Sequence, residues 1–369
     1  MFQDNKKAEK IKEYYIAYFD LLGYKEFFRN HPNEVETFLQ DIYKAISHTM
    51  DYIQQVNSSP VAADIGKLSI RTKTFSDNIL LCLETTSTEV EYPRFLAFLA
   101  VVADIQRNFI LKYGLFLRGG ITIGGLSFND DFVFGQGLID AVALEETAIY
   151  PRIVLRKTVL DYVLHPHFVK QDDLDRACAI EKRAHSGEHI SDEDLAFCNS
   201  IMPAINMEKF YLQWRDHLLF PVSDGAVVLN YLYFLNVGDI LDQPTISKML
   251  DFLKAFSPND YLKLNGFRPS QEQWLQQHKA RIVQKIREFG RYDDLSTSEA
   301  GKADIREHIL KKYLWVLTFH NYICETYGLP HYMIRLGSTI DVRFMKMTVE
   351  IFEEELHAGT QPKKGELSK

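Results

Sequence analysis

An apolar run, Tyr14-Tyr15-Ile16-Ala17-Tyr18-Phe19, leads directly into an aspartate, Asp20. A short run of this kind reads as a buried strand with a carboxylate at its end. Leu21-Leu22-Gly23 then turns the chain into a helical stretch reaching Asn57, in which Val35, Phe38, Leu39, Ile42 and Ile46 recur at helical spacing. Residues 69–74 and 79–83 read as two strands flanking Phe75-Ser76-Asp77-Asn78, a hairpin with its turn residues at the tip. A helix over 93–113, a strand over 115–124, a helix over 135–149 and a short strand over 152–155 follow. This β-α-β-β-α-β order predicts an α+β fold with a ferredoxin-like core, an antiparallel sheet covered by helices on one face.

Beyond residue 156 the pattern loosens. Residues 172–187 form a charged helical stretch, and 223–235 read as a strand pair or one bent strand. Residues 258–301 are polar and partly helical, with 296–298 as a loop. A strong helix is expected over 304–327, its apolar face supplied by Ile309, Leu310, Tyr313, Leu314, Leu317 and Phe319. The organisation expected is a catalytic core over 12–160, a mainly helical elaboration packed on it over 161–358, and a disordered tail over 359–369.

Acidic residues outnumber basic ones, 50 against 42, for a formal net charge of -8, which argues against binding along a nucleic-acid backbone. Cys82, Cys178, Cys198 and Cys324 form no CxxC pair, so neither a disulfide framework nor a cysteine-zinc site is expected. His165, His167, His185 and His189 lack partner cysteines and give little support to zinc. The polar, charged residues 1–12 are not expected to act as a leader, and no run of membrane-spanning length is expected, since the stretch 95–103 is short and stops at Asp104. The expected setting is the cytoplasm, without membrane contact.

In the inferred fold Asp20 and Asp77 lie on neighbouring strands at the sheet centre. Two carboxylates there repel one another and lose hydration unless a cation compensates them. Hard oxygen donors suit Mg²⁺ or Mn²⁺, and two such ions can polarise an α-phosphate and offset the charge of a leaving diphosphate. Either aspartate alone could instead cap a helix or make a turn. Strand alternation would put Arg71, Lys73, Phe75 and Asp77 on one sheet face. Gly119-Gly120 and Gly124-Gly125 match no phosphate-loop motif; strand glycines permit close approach of another backbone or subunit, which would suit a dimer face. Trp315, Phe319 and His320 read as packing residues.

Four blocks resemble the class III nucleotidyl cyclases. Phe19-Asp20-Leu21-Leu22-Gly23-Tyr24 is similar to the segment carrying their first metal ligand, and Lys73-Thr74-Phe75-Ser76-Asp77 to the hairpin carrying the second. Arg118-Gly119-Gly120-Ile121-Thr122-Ile123-Gly124 resembles their Arg-x-Gly-Ile-x-x-Gly strand, and Phe134-Gly135 with Ala141 and Glu145 the helix after it. Within that family, Ser76-Asp77, Gly119-Gly120, Tyr150-Pro151-Arg152-Ile153, Lys312-Tyr313-x-Trp315 and His320-Asn321 resemble the bacterial pyrimidine (Pycsar) cyclases of antiphage defence.

The resemblance implies a lyase that converts UTP, ahead of CTP, to the 3′,5′-cyclic monophosphate and diphosphate. The product would be a messenger for a cyclic-nucleotide-activated effector. It implies two Mn²⁺ or Mg²⁺ ions on Asp20, Asp77 and the backbone carbonyl of Leu21. It also implies substrate contacts from Leu22, Gly23, Lys73 and Phe132, and a homodimer with active sites across the interface. Ile139 and Ala143 stand where the family carries a transition-state Asn and Arg, and neither can donate a side-chain hydrogen bond. Arg118 and Arg152 are the candidates to replace that pair, since a guanidinium can clamp phosphate oxygens. The alternative is a catalytically silent cyclase-like domain that binds a nucleotide or a protein.

Overall fold

The computed structural model describes residues 10–24, 28, 32–58, 67–86, 91–129, 132–164, 170–222, 224–232, 269–289 and 300–335. The apolar run forms the centre of β1 (Lys12–Leu21), where alternate side chains leave on opposite faces. Tyr15, Ala17 and Phe19 are buried in the main core, while Tyr14 and Ile16 are buried in a second cluster on the other face. A strand apolar on both faces must be covered on both. The expectation of helices on one face alone is therefore corrected.

The elements that follow are α1 (Val35–Ser58), the hairpin β2 (Arg71–Phe75) and β3 (Asn78–Glu84), and α2 (Glu91–Asn108), which runs into a π-turn at Phe109–Tyr113. Next come β4 (Leu117–Phe128), the two-residue β5 (Val133–Phe134), α3 (Gln136–Thr147) and β6 (Ile153–Leu155). The later chain gives α4 (Lys157–Leu164), α5 (Gln171–His185), α6 (Asp192–Leu218), β7 (Leu219–Pro221), β8 (Val227–Leu229), α7 (Pro269–Phe289) and α8 (Ala300–Thr326). The protein is α+β, built on an eight-stranded sheet of order β2-β3-β1-β4-β6-β8-β7, with β5 paired to β4 off this path.

The first four strands, β2-β3-β1-β4, are antiparallel throughout. The sheet as a whole is mixed, which corrects the expected all-antiparallel arrangement: β4 pairs with β6 in parallel. The cause is the connection. The chain leaves β4, returns through α3 and re-enters alongside, the crossover that parallel strands require. β8 then pairs with β6, so strands from beyond residue 160 extend the same sheet.

α2 carries the main core. Tyr15 meets Phe95 with ring centroids 4.4 Å apart, and even the charged residues of α2 are buried as pairs, Arg94 with Glu91 at 3.4 Å and Arg107 with Asp104. α3 covers the second face through glycine. A Cβ on Gly124 would meet the Gly137 Cα at 2.7 Å, and one on Gly120 would meet Leu144 at 2.8 Å. The close approach that these strand glycines permit is thus that of the chain's own helix. α8 matches the strong late helix expected, whereas the loop over 296–298 and the tail from 359 lie outside the described residues. Among the described residues no helix is long and apolar enough to cross a membrane.

Candidate active site

Strand register sets the site. Asp20, next to last in β1, pairs with Asn78 of β3 on one side and Arg118 of β4 on the other. Phe75 pairs with Asn78 in turn, so Phe75, Asn78, Asp20 and Arg118 form one row across the sheet. Lys73, Leu80, Tyr18 and Gly120 form the adjacent row on the same face. Arg71, Lys73 and Phe75 do share a face, while Asp77 leaves the strand in the hairpin turn. Ser76 before it takes a positive φ of 55°, as tight hairpin turns require. The Asp77 carbonyl accepts a hydrogen bond from the Leu21 N–H at 3.0 Å, which fastens the turn to the end of β1.

The two aspartates come together as expected. The Asp20 carboxyl is held above the usual range by burial, against the pull of Arg118, and further by the charge of an Asp77 carboxyl within hydrogen-bonding reach. Arg118 is shared: its Nη2 lies 3.1 Å from Asp20 Oδ2 and 2.5 Å from Glu145 Oε1. Glu145, on α3, is 5% exposed, and burial raises its carboxyl too, with Arg118 opposing and Asp20 adding. The Glu145 contact is charge against charge without hydrogen-bond geometry, since Oε1 and the Arg118 Nε have no hydrogen-bond partner. The Tyr18 hydroxyl is pushed up to about 12 by burial, with Glu145, Asp20 and Asp77 contributing.

Glu145 and Tyr18 were not assigned site roles from sequence. The signal for Glu145 was its place on the helix stripe Gly137, Ala141, Glu145, whose members are all buried. An acid in phase with an inward-facing stripe needs a cation opposite it.

Lys73 and Phe132 are linked through one residue. Lys73 Nζ donates to the Asn129 carbonyl at 3.4 Å, and the Asn129 side chain accepts from the Phe132 N–H at 2.9 Å. Phe132 and Phe134 lie with rings 5.0 Å apart, both exposed. Leu22 donates its N–H to the Phe116 carbonyl at 2.9 Å, and Gly23 takes φ +81° with open space around its Cα.

Arg152 is not brought to the carboxylates. Its Nε donates to the Ala148 carbonyl at 2.9 Å, its Nη2 meets Asp224 at 2.5 Å, and the guanidinium lies over the Tyr150 and Trp315 rings. Ile139 is 63% exposed and Ala143 is exposed, both outside the buried stripe of α3.

Among the described residues no three or more His, Cys, Asp and Glu side chains converge where a metal ion could bind. The pair Asp20 and Asp77 nevertheless has the chemistry of an Mg²⁺ or Mn²⁺ site. Such ions take one or two carboxylates and complete their shell with water and substrate phosphate. Burial, and after it the Asp77 charge, raise the Asp20 carboxyl, and a divalent cation would favour its ionised form against both. No protein-family model matches the chain, and no curated protein matches it.

Proposed function

We propose that this chain is a nucleotidyl cyclase. It closes a pyrimidine nucleoside triphosphate, UTP ahead of CTP, to the 3′,5′-cyclic monophosphate with release of diphosphate. The observation that carries this reading is the joining of Asp20 and Asp77 at one corner of the sheet, with Arg118 against Asp20. The antiparallel order β2-β3-β1-β4 supports it, because that is the strand order of a ferredoxin-like cyclase core.

Asp20, Asp77 and the Leu21 carbonyl would hold two Mn²⁺ or Mg²⁺ ions. When bound, such ions polarise the α-phosphate and favour ionisation of the ribose 3′-hydroxyl. The 3′ oxygen attacks the α-phosphorus in line while the bond to the β-phosphate oxygen breaks and diphosphate leaves. Arg118 stands one strand from Asp20 and can exchange its carboxylate contacts for phosphate oxygens. Lys73 and Phe132 share a neighbourhood suited to the base, an ammonium for a pyrimidine carbonyl and a ring for its face. The site works across a homodimer in the cytoplasm, and its product is a second messenger for an antiphage effector.

One observation favours a second reading. Exposed Ile139 and Ala143 offer no transition-state donor, as in a silent cyclase-like domain that binds a nucleotide or protein. Incubating the purified protein with Mn²⁺ and each of ATP, GTP, CTP and UTP separately, with products identified by mass, decides between them. The cyclase reading requires a cyclic pyrimidine nucleotide. Absence of any cyclic product from folded, dimeric protein overturns it.

A further inference from the structure

Among the described residues, three carboxylates, Asp20, Asp77 and Glu145, and one guanidinium, Arg118, meet at this corner of the sheet. With all four ionised, the positive charge still wanting is that of one divalent cation. Asp20 and Asp77 are the two acids within reach of each other, and no third acid joins them in a metal-sized cluster. A cation on the two aspartates leaves Glu145 to the guanidinium.

Glu145 is placed for that part by helix packing. Arg118, Gly120 and Gly124 leave β4 on one face. α3 meets them in turn, Gly137 against Gly124, Leu144 against Gly120, and Glu145 against Arg118. The glutamate is thus carried to the site on a helix that the strand glycines hold close, and it is buried there.

The contact it makes is incomplete. A single nitrogen, Arg118 Nη2, serves both acids, 3.1 Å from Asp20 Oδ2 and 2.5 Å from Glu145 Oε1. Arg118 Nε is buried without a hydrogen-bond partner, and so is Glu145 Oε1. A guanidinium settled on one carboxylate offers two parallel N–H groups, and neither acid has that arrangement here. Buried donors and acceptors left unpaired in this way call for a cause, and a guanidinium divided between two acids supplies one. Once Asp20 is given up, Nε and Nη2 can close together on Glu145. The other groups about Glu145, namely Asp20, Glu146 and Tyr18, bring no positive charge.

We propose that Glu145 is a positioning residue that takes Arg118 from Asp20 when a divalent cation binds the two aspartates. It thereby sets the affinity of the cation site without being one of its ligands. The inference rests on the reading of Asp20 and Asp77 as a cation site, and it does not require the substrate to be a nucleotide. Held on Glu145 by one edge, the guanidinium stays at the site and keeps its other edge for a phosphate oxygen.

The test reads free Mn²⁺ by electron paramagnetic resonance in titrations of the full chain without nucleotide. Wild type, Glu145→Gln, Arg118→Gln and the double variant are compared, each checked for melting temperature. Glu145→Gln should weaken Mn²⁺ binding about tenfold, because Arg118 then settles on Asp20 and must be displaced. In the Arg118→Gln background the same change should cost no more than about threefold, the effect of one lost negative charge nearby. Equal losses in the two backgrounds, as a direct ligand would give, overturn the inference and leave the cation site standing. No Mn²⁺ binding by wild type, or binding that survives Asp20→Ala, overturns the cation-site reading and the inference with it. A second readout needs no change at Glu145: Mg²⁺ should shift the nuclear magnetic resonance of the Arg118 Nε–H, identified by its loss in Arg118→Gln, as that donor gains a partner. A resonance that stays in place overturns the inference even where Glu145→Gln does not fold.

Discussion

Replacing His320 by glutamine should flatten the pH dependence of stability by about 2 kcal/mol between pH 7.5 and 5. The number comes from a buried chain of hydrogen bonds. His320 Nε2 meets the Tyr332 carbonyl at 3.1 Å and must donate, so its Nδ1 is an acceptor. His278 Nδ1, 3.0 Å away, then donates to it, and His278 Nε2 accepts from the Tyr231 hydroxyl at 3.0 Å. Every position in the chain is filled, and a further proton would set two N–H groups against each other. Burial holds His320 down at about 4, against 6.5 for an unburied imidazole, and lowers His278 as well, with His320 adding to the effect.

Between those two values the unfolded chain binds more protons than the native one, so stability falls as pH drops below 6.5. For His320 the loss at pH 5 is about 2 kcal/mol, rising to about 3 kcal/mol below the native value. Glutamine can still donate to the Tyr332 carbonyl but does not titrate. Urea unfolding of both proteins at several pH values isolates the His320 contribution from that of all other groups. Parallel stability curves for the two proteins would refute the assignment.

Asp20→Ala and Asp77→Ala should each abolish cyclic-nucleotide formation while leaving dimerisation intact, as read by mass detection and light scattering; loss of folding in both would make these aspartates structural. Gly124→Ala should cost about 1–3 kcal/mol in chemical denaturation, because the Cβ meets Gly137 backbone that cannot move aside without displacing α3. An unchanged midpoint would mean that the helix is not seated on β4. Arg152→Met should lower stability by about 1–2 kcal/mol, since it removes the partner of the Ala148 carbonyl and of the partly exposed Asp224. Loss of turnover at unchanged melting temperature would instead return Arg152 to the catalytic site.

The sheet centre was legible because its cues are local. The apolar and aromatic run before Asp20 reads as an interior strand, and the turn residues between residues 69–74 and 79–83 read as a hairpin. The pairing of Asp20 with Asp77 follows from those elements once β1 and β3 are neighbours. Arg152 was less readable. An arginine at the entry to the strand beside Arg118 could face phosphate or structure, and its direction is decided by Asp224, Tyr150 and Trp315, two of them adjacent in no sense but space. The parallel β4–β6 pair was likewise hidden, since a three-residue strand carries too little pattern to declare its orientation. Glu145 was visible as a letter but not as a charge in the site. Its meaning depends on α3 lying against β4, which the glycines at 120, 124 and 137 allow.

Arg118 shows how the chain after residue 160 supports the candidate site. Its strand is bounded by β1 on one side and β6 on the other, so two neighbours hold it in register. β6 is in turn backed by β8, and Arg152 beside it is fixed by Asp224 and Trp315, all from the later chain. Phe116, leading into the same strand, is covered by Tyr313. The carboxylates and the guanidinium set against them all come from the first part of the sequence, while the later chain backs the strands that carry them. The seating of α8 on Phe116 and Tyr150 therefore bears on the strand that carries Arg118 and on the chain that enters the strand beside it.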